Sequence, residues 1–354
     1  MVKNGQSSIS NTRKTTRNTR PSSIPIVTNF KGLSKPEMKL DANITAPDNS
    51  SQEFAISLSL QQELLNVFKE AFGTLIISND LQKVIQDIKN ALYERDFMRA
   101  FGMPCNLEAY TIRWSPSRAL CYQAILGDLR KYFTDVFSCC NLEPSGNFIN
   151  KTLSCQDLPE VICFGGGAAE VIAFAGFVRH YKYDCRENNA NIGSDKIDES
   201  TSRLTLFRSN STLKICLVDC AHWQDVVEKL NQGLINTKSR NPDVIDPDLT
   251  ALLRPSDIHV NCIREDILSM SYSQLLNIVG QKIVLVTLFF TLNELYNFSV
   301  SKTTAFFLRL TDALKTGSIL LIVDSPGSYS ETTIGSQAKR YPIHWLLDYC
   351  LLSE

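Results

Sequence analysis

The chain has 354 residues, 44% of them hydrophobic, and a formal net charge of −1. That length and apolar content suffice for a sizeable core and one or two domains, and exclude a chain too small to bury one. The near-neutral charge hides an asymmetry: Met1 to Pro36 holds seven Lys or Arg residues and no Asp or Glu. Residues 1–50 therefore read as a basic, largely disordered arm, poor in large apolar groups. Such an arm can attract RNA phosphates with strong salt dependence. It can equally be an address or a soluble extension. No N-terminal stretch has the apolar core of a signal peptide. The run "IVLVTLFFTL" is far shorter than the roughly 20 residues of a membrane helix.

Residues 51–150 read as an N-terminal helical extension. "FAISLSLQQELLNVFKEAFG" and "LQKVIQDIKNALYERDFMRAFG" repeat apolar residues at helical spacing. In "YTIRWSPSRALCYQAILGDLRKYF", Ser115 is the expected N-cap and Pro116 the first helical residue. Arg118 then falls in the first turn, against the positive helix end. An anionic partner or solvent would relieve it.

Residues 151–354 carry five apolar runs that alternate with helical patterns. The strands are expected in "EVICFGG", "LKICLVDCA", "IHVNCIREDIL", "KIVLVTLFFTL" and "SILLIVDSPG". Continuous apolar strands separated by helices indicate an α/β fold with a parallel, Rossmann-like sheet covered on both faces. Insertions are expected near 182–211 and 233–256. After the fifth strand, "YPIHWLLDYCLLSE" reads as one helix with no further strands, which predicts an incomplete C-terminal sheet edge.

Eleven cysteines prompt a search for disulfides and metal sites. Cys139 and Cys140 are adjacent and lack a CxxC partner. Cys216, Cys220 and His222 do not have zinc spacing. Cys163, Cys216 and Cys262 lie in strand-like runs and read as buried free thiols, so no metal and a reducing compartment are expected.

The turn "FGGG" follows a strand and precedes a helix, the placement at which glycines cradle nucleotides. Gly165, Gly166 and Gly167 are the candidate cradle. The third glycine of a dinucleotide fingerprint is replaced by Glu170, an acid that would repel a pyrophosphate. No Walker sequence is present. S-adenosylmethionine has no phosphate and carries a sulfonium and an ammonium, so it suits the acids better. Asp219 ends the second strand, where a carboxylate can accept hydrogen bonds from ribose hydroxyls. It can also cap the next turn. Asp266 or Glu265 can reach the adenine amino group or be solvated loop acids. Glu170 can contact the cofactor's ammonium or pair with Arg113 or Arg118. Thr287, Phe289, Phe290, Asn293 and Glu294 are expected near the carboxyl edge of the sheet. There an aromatic can stack on a base, or simply fill the core.

Four blocks, "YERDFMRAF", "YTIRWSPSRAL", "VICFGGGAAEV" and "LVDCAHW", together resemble a fungal family of 25S ribosomal RNA (uridine-N3) methyltransferases. The resemblance spans roughly residues 58–350. It implies a class I, S-adenosylmethionine-dependent enzyme, with Gly165 to Gly167 cradling the cofactor, Asp219 on its ribose and Asp266 beside its adenine. Glu170 and Thr287 join this cofactor set. Arg113, Arg118, Asn293 and Glu294 are the candidate catalytic residues, the arginines for charge developing on base oxygens and the others to orient the base or take its proton. The implied partners are 25S rRNA or a pre-60S particle, with no membrane, no metal and otherwise a monomer. The implied compartment is the nucleus, within it the nucleolus, with the cytoplasm as the alternative. A methyltransferase acting on protein or metabolite, and a non-catalytic ribosome-assembly protein, are the alternatives.

Overall fold

The computed structural model describes residues 56–138, 160–184, 211–236, 251–325, 329–334 and 337–352. The basic arm, the Cys139–Cys140 pair and most of both expected insertions lie outside these residues. The described residues fall within one compact unit, Glu53–Glu354.

Six helices come first: α1 (Leu58–Ala71), α2 (Gly73–Ile76), α3 (Leu81–Tyr93), α4 (Phe97–Phe101), α5 (Pro104–Asp128) and α6 (Thr134–Ser138). Local chemistry sets several starts. The Ser57 hydroxyl accepts the Leu60 N–H at 3.2 Å to open α1, and Asp96 accepts the Arg99 N–H at 3.0 Å to open α4. Pro104 supplies the pre-set φ at the first position of α5. The start expected at Ser115–Pro116 is therefore misplaced. Pro116 lies inside a 25-residue helix, and Arg118 is in the helix interior rather than its first turn. A mid-helix proline forfeits one backbone bond, and packing on both sides of it holds the helix together.

The rest of the chain contributes β1 (Val161–Phe164), α7 (Ala168–Arg179), β2 (Leu213–Asp219), α8 (Gln224–Asn236), β3 (Ile258–Arg264), α9 (Tyr272–Val279), β4 (Leu285–Phe289), α10 (Leu292–Phe298), α11 (Val300–Ala313) and β5 (Ile319–Val323). The five strands form one parallel sheet in the order β3-β2-β1-β4-β5. The order reverses between β1 and β4, so a crevice opens between the connections that leave these two strands in opposite directions.

Alternate residues feed the two faces. Val161, Cys163, Leu213, Ile215, Leu217, Leu285 and Phe289 join one core with α1, α5, α7 and α8. Ile162, Phe164, Cys216, Val218, Val286 and Leu288 join the other, with α9, α10 and α11. Helix α7 is buried on nearly every side. It lies between the sheet and α5, which explains its alanine-rich, all-round apolar sequence. At Gly176 a β-carbon would come within 2.7 Å of Leu64 and 3.1 Å of Gln123, so α1 and α5 approach its backbone directly. Helices α3 and α5 share a satellite core around Ile85, Ile88 and Ala109, with Trp114 packed against it.

The C-terminal expectation needs correction. Two strands, β6 (Tyr329–Ile334) and β7 (Gln337–Pro342), precede the last helix, α12 (Ile343–Leu352). Their sequences, "YSETTI" and "QAKRYP", are too polar to register as apolar runs. They pair antiparallel with each other. Among the described residues neither extends the five-stranded sheet, which ends at β5.

Two buried ion pairs close the amino edge of the sheet. Lys282 Nζ meets Glu160 Oε1 at 2.7 Å, while Glu160 Oε2 accepts the Lys214 N–H at 2.7 Å. Lys182 Nζ meets Asp257 Oδ1 at 2.8 Å and also donates to the Ser211 carbonyl. Asp257 Oδ2 accepts from the Tyr183 hydroxyl at 2.7 Å and the Arg254 N–H at 2.8 Å. One carboxylate thus ties the chain after α7 to the starts of β2 and β3. Replacing only Lys182 by Met strands a buried carboxylate and should lower unfolding free energy by about 3–5 kcal/mol. Adding Asp257→Asn should recover part of that loss. Urea titration of the three proteins measures both.

Candidate functional site

The site is built at the carboxyl edge, opposite the ion pairs. β1 ends at Phe164 and the chain turns at once. Gly165 has φ +69°, and its N–H donates to the Val218 carbonyl at 2.8 Å. A β-carbon there would stand 2.3 Å from the Thr291 hydroxyl. Glycine is therefore required twice over, by backbone conformation and by contact with the segment after β4. Gly167 lies against Trp223, whose ring would be 2.8 Å from an added β-carbon. This turn is thus pressed between the segment that follows β2 and the segment that follows β4.

Glu170 occupies the first turn of α7, is buried, and accepts the Gly167 N–H at 2.8 Å through Oε2. Burial pushes its carboxyl from 4.5 up to about 7, although the Gly167 N–H and the guanidinium of Arg118 pull it down. Asp219 ends β2 and its Oδ1 accepts the Ala221 N–H at 2.7 Å. Burial pushes Asp219 from 3.8 up to about 6, against that same N–H bond. Both acids belong to one electrostatic group with Arg118 and Tyr110. Beside Asp219 opens a concavity lined by Leu217, Ala221, His222, Trp223, Gln224 and the end of β3, Cys262 to Arg264.

Helix α5 brings Arg118 to the site together with three aromatics that sequence reading passed over. Tyr110, Trp114, Arg118 and Tyr122 recur every four residues along it. The Tyr110 and Trp114 rings lie 4.9 Å apart, and Tyr110 lies 6.2 Å from Trp223. Arg118 donates through Nη1 to the Tyr110 hydroxyl. Its guanidinium is 5.6 Å from the Tyr110 ring and 5.1 Å from the Phe290 ring. Tyr122 packs on Phe289 at 4.5 Å. The i, i+4 recurrence was the available signal, and the misplaced helix start obscured it.

The segment after β4 is strained. Phe290 has φ +53°, a left-handed conformation costly for a bulky side chain, and its ring is 38% exposed. Its N–H donates to the Val323 carbonyl at 2.7 Å, which holds the strained turn onto β5. Of the two phenylalanines, Phe289 is core and Phe290 faces the site. Asn293 begins α10 with its N–H on Asp324 Oδ2 at 3.0 Å, and its Oδ1 accepts from Asn297 at 2.8 Å. Burial pushes the neighbouring Glu294 carboxyl up, Arg95 draws it down, and Asp324 pushes it up again.

Three expected positions differ. Thr287 is in the middle of β4, opposite Cys163 and Leu321, and is buried. It is inside the sheet rather than at its carboxyl edge, because the strand runs two residues further. Arg113 is exposed and stacks on Trp114 at 5.6 Å, on a different side of α5 from Arg118. Asp266 is exposed, its Oδ1 accepts the Leu268 N–H at 3.0 Å, and the concavity is lined instead by residues 262–264. Cys163 and Cys216 are buried free thiols and Cys262 is half-buried. Among the described residues no group of three metal-binding side chains converges, and no helix is long and apolar enough to cross a membrane.

A family model described as "Putative SAM-dependent methyltransferase" matches residues 68–354. The chain belongs to this methyltransferase family. The match takes in α3 to α5 as well as the sheet, so the helix that brings Arg118 to the site is part of what defines the family. The methyltransferase chain is also similar to the 25S rRNA (uridine(2843)-N(3))-methyltransferase of Saccharomyces cerevisiae. Identity is 31% over 302 residues, covering 83% of this chain and 73% of the relative. No solved structure matches it.

The two raised carboxyls make the free protein's stability depend on pH. Between 4.5 and about 7 for Glu170, and between 3.8 and about 6 for Asp219, the folded chain keeps protons that the unfolded chain has released. Stability contributed by these groups therefore falls as pH rises through that window. Glu170→Gln keeps an oxygen to accept the Gly167 N–H but cannot ionise. It should melt higher than the parent at pH 8, with the difference vanishing by about pH 4, below the unfolded value of 4.5, as thermal melts at the two pH values will show.

Proposed function

We propose that this chain methylates N3 of a uridine in 25S rRNA, with S-adenosylmethionine as methyl donor. The observation that carries the reading is the convergence, at one sheet edge, of the Gly165–Gly167 turn, the Asp219 carboxylate and the strained Phe290 segment. Support for the substrate comes from the relative, whose name specifies a uridine N3 in 25S rRNA.

The residues present suit the donor. Glu170 and Asp219 place acids beside the glycine turn, where a phosphate would be repelled and a sulfonium or ammonium attracted. Asp219 would accept from ribose hydroxyls, with one oxygen already braced by Ala221. Leu217, Ala221, Cys262 and Ile263 give the adjoining concavity apolar walls for the adenine. Asp266 would hold the loop at its rim through the Leu268 N–H. When bound, the cofactor supplies a methyl carbon made electrophilic by its sulfonium.

The chain's own task is to prepare the base. Uridine N3 carries a proton and is used in pairing, so the base must be unpaired and the proton removed. Glu294 is the residue at the α10 start able to take it, since Asn293 cannot ionise. A carboxyl raised by burial is the stronger base for that work. Asn293 has its oxygen occupied by Asn297, which leaves its amide N–H groups to donate to a base oxygen. Phe290 offers an exposed ring on which the uracil can stack. Thr287, within the sheet, serves the site only by filling it. A 25S rRNA substrate would make a pre-60S particle the partner and the nucleolus the compartment within this proposal.

The decisive assay incubates the full-length protein with unmodified 25S rRNA and methyl-labelled cofactor, then maps the product by RNA mass spectrometry. Label in N3-methyluridine is the expected outcome, and label in protein or in another nucleoside rejects the proposal. Glu294→Gln should lower the single-turnover rate by about 100-fold or more while cofactor affinity, measured by calorimetry, stays the same. Asp219→Asn should do the reverse, weakening cofactor binding by about 1.5–3 kcal/mol through loss of hydrogen bonds to a charged acceptor.

A further inference from the structure

Arg118 is the cation at the centre of the site, and the base chemistry above does not use it. Its side chain is half-buried. It reaches from α5, outside the sheet, onto the β1–α7 turn. One N–H group is committed to the Tyr110 hydroxyl, and the two flat faces of its surroundings are the rings of Tyr110 and Phe290. Among the described residues it forms no ion pair within 4.0 Å. Glu170, the acid that feels its charge, already has its Oε2 on the Gly167 N–H. A guanidinium carries five N–H donors in a fixed planar fork. Among the described residues the rest of that fork has no protein acceptor, and it lies beside Phe290 and near the buried Glu170 at the start of α7.

S-adenosylmethionine carries two positive groups and one negative group, the α-carboxylate. Glu170 and Asp219 match its positive groups and hydroxyls. Neither can bind the carboxylate. We infer that Arg118 binds the α-carboxylate of the cofactor through its guanidinium fork, with Tyr110 as the positioning residue that holds the fork in place. This assignment rests on the methyltransferase reading and adds a binding role for a helix outside the nucleotide-binding sheet. It separates Arg118 from Arg113, which points elsewhere on the same helix.

The test compares three ligands by calorimetry with the full-length protein: S-adenosylmethionine, its decarboxylated analogue, and 5′-methylthioadenosine, which lacks the whole amino-acid end. The parent protein should bind S-adenosylmethionine at least about tenfold more tightly than the decarboxylated analogue, as expected for a bidentate charged contact. In Arg118→Met that preference should collapse to about one, with 5′-methylthioadenosine affinity unchanged, which also shows that the variant is folded. Arg118→Lys keeps the charge but loses the fork and should retain part of the preference. Tyr110→Phe should reduce it too, with no change for the decarboxylated ligand. A preference that survives Arg118→Met overturns the assignment and leaves the cofactor reading standing. A parent protein that binds none of the three nucleosides overturns both.

Discussion

The site depends on how closely three chain segments approach one another at the end of β1. Gly165 lies against Thr291 and Gly167 against Trp223, each nearer than any β-carbon allows. These contacts put the carboxylate after β2 and the aromatic turn after β4 on opposite sides of one short loop. The amino edge makes the arrangement possible. There, Glu160, just before β1, binds Lys282 and the Lys214 N–H, and Asp257, just before β3, binds Lys182 and the Arg254 N–H. Strands fixed in register at one end deliver their last residues together at the other.

The N-terminal helices complete this scheme. An isolated α7 would expose an apolar surface on the side away from the sheet. Helix α5 covers it, and the same packing sets Tyr110 beside Trp223, Arg118 beside Phe290 and Tyr122 on Phe289. Core formation and site assembly are therefore one event. The family match, which begins at residue 68, includes these helices for a physical reason. Without them the sheet has neither a cover for α7 nor a cation for its acidic turn.

Much of this was legible in the sequence. The five strands announced themselves as continuous apolar runs, because a parallel sheet buries both faces. The roles of Gly165 to Gly167 in the turn, and the position of Asp219 at a strand end, followed from the strand–turn–helix order. What stayed hidden depended on longer-range contact. Pro116 looked like a helix start because its local cost is real; only packing against α7 and the sheet shows that the helix runs through it. Thr287 looked accessible because the end of β4 could not be placed within two residues. Nothing local to Trp223 revealed that it fills the space beside Gly167. Strands β6 and β7 are too polar to stand out.

The proline within α5 has one more consequence. It divides the functional face of the helix, with Tyr110 and Trp114 before it and Arg118 and Tyr122 after. Proline in a helix interior costs about 3 kcal/mol relative to alanine and bends the axis by removing a rung of the ladder. A straighter, sturdier helix was open to this chain at the cost of one codon. As it stands, the helix that covers α7 is held in shape by its packing more than by its own ladder.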